Sequence, residues 1–82
     1  MSEYEFVRKN LTLSADFNSY LLSNPDFLSE LPKDVHIVFE IKSNRSFSDK
    51  NLEVVKKSHE KYLIATKSGS KWHVKSPRGA QN

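Results

Sequence analysis

The segment VHIVFEI, residues 35–41, constrains the fold of this chain more than any other stretch. Its apolar residues alternate with a mixed set and are mostly β-branched or aromatic, which predicts a β-strand with one apolar face. The residues that follow predict a helix and then two strands, 62–67 and 71–75, joined by a tight turn at Gly69. A strand, a helix and a strand normally join as a right-handed parallel crossover, and a hairpin adds an antiparallel strand. We therefore expect a three-stranded mixed sheet.

Two helices are predicted before this strand. Ser2 and Glu5 have the spacing of a capping box, and apolar residues then recur with helical period as far as Leu21. Proline disfavours a helical residue before it, so Pro25 should end the first helix and begin a short second one, which Pro32 closes. The predicted fold class is therefore α+β, in the order α-α(short)-β-α-β-β, with the helices packed on one face of the sheet. Residues 1–76 are expected to form a single domain and residues 77–82 a frayed tail.

The helix between the first two strands is predicted with one alternative left open. Segment 49–60 is read as a helix capped by Ser48 or Asp49, with two adjacent valines keeping a partly β alternative open. The polar segment 42–51 before it predicts a loop that contains one apolar residue, Phe47. Phe47 and Tyr4 are therefore expected to be exposed and available for contacts, whereas the alternation of the last strand assigns Trp72 to the core.

The composition excludes several classes of protein. There is no cysteine, which excludes disulfides, thiolate zinc sites and a cysteine nucleophile, and fits a reducing cytoplasm. No apolar run approaches the roughly 20 residues that a membrane-spanning helix needs, so we expect a soluble cytoplasmic protein. A chain of 82 residues has a thin core. Good packing or self-association must therefore stabilise it.

The charged residues are unevenly distributed along the chain. Residues 1–40 carry three Lys or Arg against seven acids, a net charge of −4, whereas residues 41–82 carry ten against three, a net charge of +7. This asymmetry suits a basic face for nucleic acid or an acidic partner, and it equally suits two copies that pair acidic half to basic half. Lysines scattered over a solvated surface would give the same count.

The segment from residue 10 to residue 39 resembles a group of small bacterial and archaeal proteins of unknown function. The shared pattern is an Asn-Leu pair, a Phe-x-x-Tyr-Leu-Leu helix, a Pro-x-Phe segment, a Leu-Pro pair and a Val-rich strand, carried here by Asn10, Leu11, Phe17, Tyr20, Leu21, Leu22, Pro25, Phe27, Leu31, Pro32 and residues 35–39. NLEVVKK, residues 51–57, is similar to the next helix of that group. The resemblance implies the fold and assigns no catalytic residue. Its one link to a process is a loose association of such small proteins with toxin–antitoxin pairs.

The histidines do not form a recognisable catalytic or metal-binding constellation. His36, His59 and His73 have no metal-ligand spacing, and no glycine opens a helix in the manner of a phosphate-binding loop. The best chemical cluster lies in SGSKWHVKSP, residues 68–77, where alternation places Lys71, His73 and Lys75 on one exposed strand face. This stretch resembles the Gly-Ser-His hairpin of small interferases with a double-stranded-RNA-binding fold, although here the histidine comes three residues after Gly-Ser.

These patterns predict a small, non-catalytic binding protein without metal, cofactor or small-molecule ligand. We expect it to act through protein–protein contacts, as a homodimer or with another protein. The alternative is a nucleic-acid-binding or toxin–antitoxin component that uses the basic C-terminal hairpin, and a His73-dependent ribonuclease is the third reading. The residues expected to contact nucleic acid or an acidic partner are Arg45, Lys67, Lys71, His73, Lys75 and Arg78.

Overall fold

The computed structural model describes residues 2–77 and has the predicted order of elements. The helices and strands are α1 (Glu3–Ser23), α2 (Pro25–Glu30), β1 (His36–Glu40), α3 (Arg45–Ser58), β2 (Tyr62–Ser68) and β3 (Lys71–Lys75). β1 pairs in parallel with β2, and β2 pairs in antiparallel fashion with β3, so β2 is the central strand. The chain therefore has an α+β fold with a three-stranded mixed sheet.

The chain divides into two compact units, residues 1–33 and residues 34–82. The first, here called the helical unit, contains α1 and α2, and the second, the sheet unit, contains α3 and the three strands. That residues 1–76 act as a single domain stays a prediction, and residues 78–82 of the expected tail lie outside the described residues. Within residues 2–77, no helix combines the length and apolar character that crossing a bilayer requires.

The helical unit begins with the predicted capping box. The Glu5 backbone N–H donates to Ser2 Oγ at 3.1 Å, and the Ser2 backbone N–H donates to Glu5 Oε1 at 3.3 Å. The Ser2 hydroxyl also donates to Glu5 Oε1, at 3.1 Å. The two bonds that the carboxylate accepts, chiefly the one from the Ser2 backbone, favour its charged form and lower the pKa of Glu5. Two of the backbone groups that a helix start leaves unpaired are thus satisfied.

Asn24, in the turn between the two helices, closes the end of α1 and does not cap α2 with its side chain. Pro25 is the first residue of α2, as expected, but the Asn24 side chain makes no capping hydrogen bond to α2. Its Nδ2 instead donates to the Tyr20 carbonyl oxygen at 2.7 Å, which closes the end of α1. The rings of Tyr20 and Phe27 meet edge to face at 5.5 Å, so α2 folds back against α1.

The core of the sheet unit lies on the sheet face that contains Phe39 and Trp72. The strand register places six apolar residues on this face: Ile37, Phe39, Leu63, Ala65, Trp72 and Val74. The Phe39 and Trp72 rings meet edge to face at 5.6 Å, and both side chains are buried together with Ala65. Val38, on the opposite face, is also buried. Both faces of β1 therefore contribute to the core.

α3 packs against β1 and starts earlier than the sequence pattern indicated. It begins at Arg45 because Asn44 caps it, its Oδ1 accepting from the Phe47 backbone N–H at 3.1 Å. The predicted loop over 42–51 and the predicted cap at Ser48 or Asp49 are wrong for this reason. Ser48 lies inside the helix, and its Oγ accepts from the Ile41 backbone N–H at 2.8 Å.

The early start of α3 reverses the prediction for Phe47. A phenylalanine in a polar loop would be exposed, but in the first turn of α3 its side chain is fully buried. α3 then continues to Ser58 without a strand, and His59 ends it in the left-handed conformation at φ 60°. His59 is exposed.

Candidate binding surfaces

The first candidate surface is the outward row of β3, formed by Lys71, His73 and Lys75. All three side chains are exposed, and the register places them on the sheet face opposite Trp72 and Val74. β3 lies at one side of the three-stranded sheet, so this row follows the margin of the sheet. The predicted division of the hairpin into a buried face and a basic outward face is confirmed. Three basic or titratable groups on one margin form a surface suited to an anionic partner.

A carboxylate stands beside this basic row. The register aligns Glu40, Thr66 and His73 across the three strands, and Thr66 Oγ1 donates to Glu40 Oε1 at 3.1 Å. Lys75 Nζ lies 3.8 Å from the same carboxylate oxygen. Glu40 therefore offsets part of the charge of Lys75. The buried Thr66 holds the carboxylate in this position.

The other predicted contact residues do not join the row. Lys67 is exposed but pairs in register with Trp72, so it points to the other face of the sheet. Arg45 starts α3 and lines a shallow cleft of about 220 Å³ together with Glu40, Ile41, Lys42, Ser48 and Asp49. Arg78 lies outside the described residues. The structure therefore brings together three of the six predicted residues.

The histidines occupy separate positions. His36 Nε2 lies 2.7 Å from Glu60 Oε2, which ties the start of β1 to the connection between α3 and β2. Both side chains are more than half exposed, so this ion pair adds little to stability. Within the part of the chain that the structure describes, no group of three or more His, Cys, Asp or Glu side chains is placed to hold a metal ion.

The second candidate surface lies on α1 and was not anticipated from the sequence. Five residues, Tyr4, Val7, Leu11, Ala15 and Leu22, fall within about 80° of the helix circumference at about 100° per residue. We call them the outer stripe of α1. Tyr4 is 72% exposed, Leu11 66% and Leu22 80%. Large apolar side chains that line up in contact with water on one helix face are typical of a protein interface.

The outer stripe lies on the opposite side of α1 from the residues used for folding. Phe6, Leu13, Phe17 and Tyr20 form the inner stripe, and these side chains are buried or half-buried. The sequence pattern revealed the inner stripe and placed Leu11 and Leu22 only within the family resemblance. The signal that could have revealed the outer stripe is a second set of apolar residues with the same 3.6-residue period. The expectation that Tyr4 is exposed is confirmed, and whether it makes contacts stays a prediction.

The remaining exposed apolar side chains are isolated. Leu28 on α2 is 43% exposed and Val54 on α3 is 58% exposed. Single apolar residues at the surface are common in soluble proteins and need no partner. The outer stripe differs because four large apolar side chains share one face of a 21-residue helix, interrupted only by Ala15 and the polar Asn18.

Comparison with known proteins supports the resemblance drawn from the sequence. No curated protein and no solved structure matches the chain significantly. The model of a family of unknown function, DUF5647, matches residues 5–66. The matched region contains α1 from Glu5 onward and ends in β2, so the basic row of β3 lies beyond it. Because the match spans well over half of its residues, this chain belongs to the DUF5647 family, a family of unknown function.

Proposed function

We propose that this protein is a non-catalytic binding module that acts through protein–protein contacts made by the outer stripe of α1. The observation that carries the proposal is the exposure of Tyr4, Leu11 and Leu22 on one helix face. Apolar surface of this kind gains free energy when a partner removes it from water, about 25 cal/mol per Å² buried. A helix that uses one stripe for its own fold and a second for a partner is the helix-in-groove or helix-on-helix mode of recognition.

The position of the stripe supports this proposal further. Four of its five residues lie within the region that matches the family, whereas Lys71, His73 and Lys75 lie beyond it. The stripe also contains no charged residue, and charge is depleted at the centres of protein interfaces. Cytoplasmic localisation is proposed with this function, because the chain lacks cysteine.

The test is a comparison of three tagged forms of the full chain expressed in the native cell. Leu11→Glu places a charge in the centre of the outer stripe, and Thr12→Glu places the same charge on the next residue, about 100° around the helix. We expect the wild type and Thr12→Glu to co-purify with the same protein, or with untagged copies of this chain, and Leu11→Glu to lose it. Equal recovery with Leu11→Glu would exclude the outer stripe as the binding surface.

Nucleic-acid binding by the basic row of β3 is the second candidate function. The observation that favours it is the exposure of Lys71, His73 and Lys75 on one strand face, in a unit whose ten Lys or Arg stand against five acids. Binding of this kind releases counterions, so its affinity falls as salt rises. Replacing Lys71 and Lys75 with Gln should then reduce the slope of log affinity against log salt by up to about 2. An affinity that does not change with salt concentration, or no binding at low salt, would exclude nucleic-acid binding by this row.

A further inference from the structure

We infer that the basic row of β3 contacts successive phosphates of one nucleic-acid strand, and that His73 makes its contact only when it is protonated. The inference rests on the second candidate function and names both the ligand group and the regulation of that surface. Lys71 and Lys75 flank His73 on the same exposed strand face. The row is therefore a phosphate site with two permanent cations and one cation that depends on pH.

The spacing of the row suits a nucleic-acid backbone. Alternate residues of a β-strand lie about 6.8 Å apart, so the three side chains start from a straight line about 14 Å long. Successive phosphates of an extended nucleic-acid strand have a similar separation. Each phosphate carries a negative charge whatever the sequence, whereas a peptide would need acidic residues at alternate positions to match the row. The geometry therefore favours contact with the phosphate backbone, without selection of particular bases.

The groups around His73 determine what its protonation changes. Its register partner on β2 is Thr66, which is buried and uncharged, and Glu40 follows in register on β1. Lys75 Nζ lies 3.8 Å from Glu40 Oε1, so this carboxylate offsets one of the two lysines. Two lysines and one glutamate give the cluster a net charge of +1 while His73 is neutral, and a proton on His73 doubles that charge.

The remaining titratable groups on this face of β1 and β2 are too far away to compensate for that proton. They are His36 and Tyr62, four residues before Glu40 and Thr66 on their strands, or about 13 Å away. This distance exceeds the screening length of about 8–10 Å at physiological salt. Histidine is the side chain that ordinarily changes its charge between about pH 5 and 8. The affinity of the row for a phosphate backbone must therefore rise as the pH falls through this range.

A fluorescently labelled oligothymidylate is the probe, because thymine neither gains nor loses a proton in this pH range. Its affinity for the full chain is measured by fluorescence anisotropy against salt concentration, at about pH 5.5 and at about pH 8. Each phosphate contact adds about 0.7 to the magnitude of the slope of log affinity against log salt for a single strand. We expect the wild-type slope to be steeper by about 0.7 at the lower pH, and the affinity at about 0.1 M salt to be about fivefold higher.

Two substitutions of the exposed His73 fix its charge in opposite senses. His73→Gln is neutral at both pH values and should give the wild-type slope of the higher pH throughout. His73→Lys carries a permanent charge and should give the wild-type slope of the lower pH throughout. His59→Gln is the matched control, since His59 is also exposed but ends α3 and does not lie on β3. This control should keep the full dependence on pH.

The outcomes separate this inference from the function on which it rests. A slope that is the same at both pH values, or a pH-dependent slope that persists in His73→Gln, would overturn the role of His73 and leave nucleic-acid binding in place. Tighter binding of poly-L-glutamate than of the oligothymidylate at the higher pH would overturn the phosphate backbone as the ligand. No binding of the oligothymidylate at low salt, at either pH, would exclude the second candidate function itself and this inference with it.

Discussion

Phe47 contributes to the fold through both its side chain and its backbone. It is the fully buried large side chain among the described residues, and its backbone N–H also holds the Asn44 cap of α3. The same residue therefore marks the first turn of α3 and contributes a fully buried ring to the core. In a chain of 82 residues the core is thin, so each buried aromatic ring carries a large share of the stability.

Replacing Phe47 with Ala should lower the free energy of unfolding by about 3–5 kcal/mol, because the ring leaves a cavity in a close-packed core. The measurement is urea unfolding followed by Trp72 fluorescence. Val54→Ala is the matched control, since Val54 lies on the same helix and is 58% exposed. A loss for Phe47→Ala no larger than that of the control would contradict the assignment of Phe47 to the core.

The capping box at the start of α1 predicts how the stability of the fold depends on pH. Hydrogen bonds from Ser2 lower the pKa of Glu5 below its ordinary value of 4.5. Because the folded-state pKa is the lower one, the stabilisation is present above pH 4.5 and is lost as pH falls through the folded value. Ser2→Ala removes the hydroxyl and keeps the backbone N–H, so we expect it to raise the pKa of Glu5 part of the way toward 4.5 in an NMR titration. An unchanged pKa would show that the Ser2 hydroxyl does not hold this carboxylate in solution.

At the scale of elements, the strands and α1 follow from the sequence because their patterns are local. Alternating apolar residues predicted β1, and the Ser-Gly-Ser turn predicted the β2–β3 hairpin, since each signal lies within a few residues. The beginning of α3 did not follow, because Ser, Asp and Lys on the exposed side of a first turn look like the residues of a polar loop. The outer stripe of α1 did not follow either, since the pattern does not say which of two apolar faces the fold buries.

The C-terminal end of α3 contains a strained position that can be relieved. His59 adopts φ 60° and ψ 21°, a left-handed conformation in which a Cβ atom is crowded. Gly has no such penalty and is the preferred residue there. His59→Gly should therefore raise the free energy of unfolding by roughly 0.5–1 kcal/mol, even after the greater freedom of glycine in the unfolded chain is considered.

The control for this substitution lies one residue earlier. Ser58→Gly stays within α3 and should lower stability, because glycine is a poor helix former. Chemical unfolding of both variants under the same conditions distinguishes the two effects. Equal losses for the two glycines would mean that His59 is not left-handed in solution.

At the scale of the whole molecule, the two units differ in net charge and in the number of hydrophobic residues that they bury. The helical unit carries three Lys or Arg against five acids, and the sheet unit ten against five. Phe17 is the one buried hydrophobic residue of the helical unit among those the structure describes, whereas the sheet unit contains six. A unit of 33 residues with so small a core is below the size that usually folds alone.

We therefore expect the 82-residue chain to unfold in one cooperative transition, as the prediction of a single domain over residues 1–76 requires. Trp72 reports on the sheet unit, since it is the single tryptophan and is buried there. Far-UV circular dichroism reports strongly on the 21-residue α1. Denaturant curves from the two signals should coincide in midpoint and slope. A separate, earlier loss of helical signal would show that the helical unit unfolds independently.

The parallel pairing of β1 with β2 has a consequence for the order in which the chain is completed. Partners in this pair are 26 residues apart in the sequence, with the whole of α3 between them. During synthesis at about 5–20 residues per second, β1 therefore waits roughly one to five seconds before its partner strand exists. The first strand to be made has no partner until the third helix is complete, and until β2 arrives its backbone is open to chaperones and to neighbouring nascent chains.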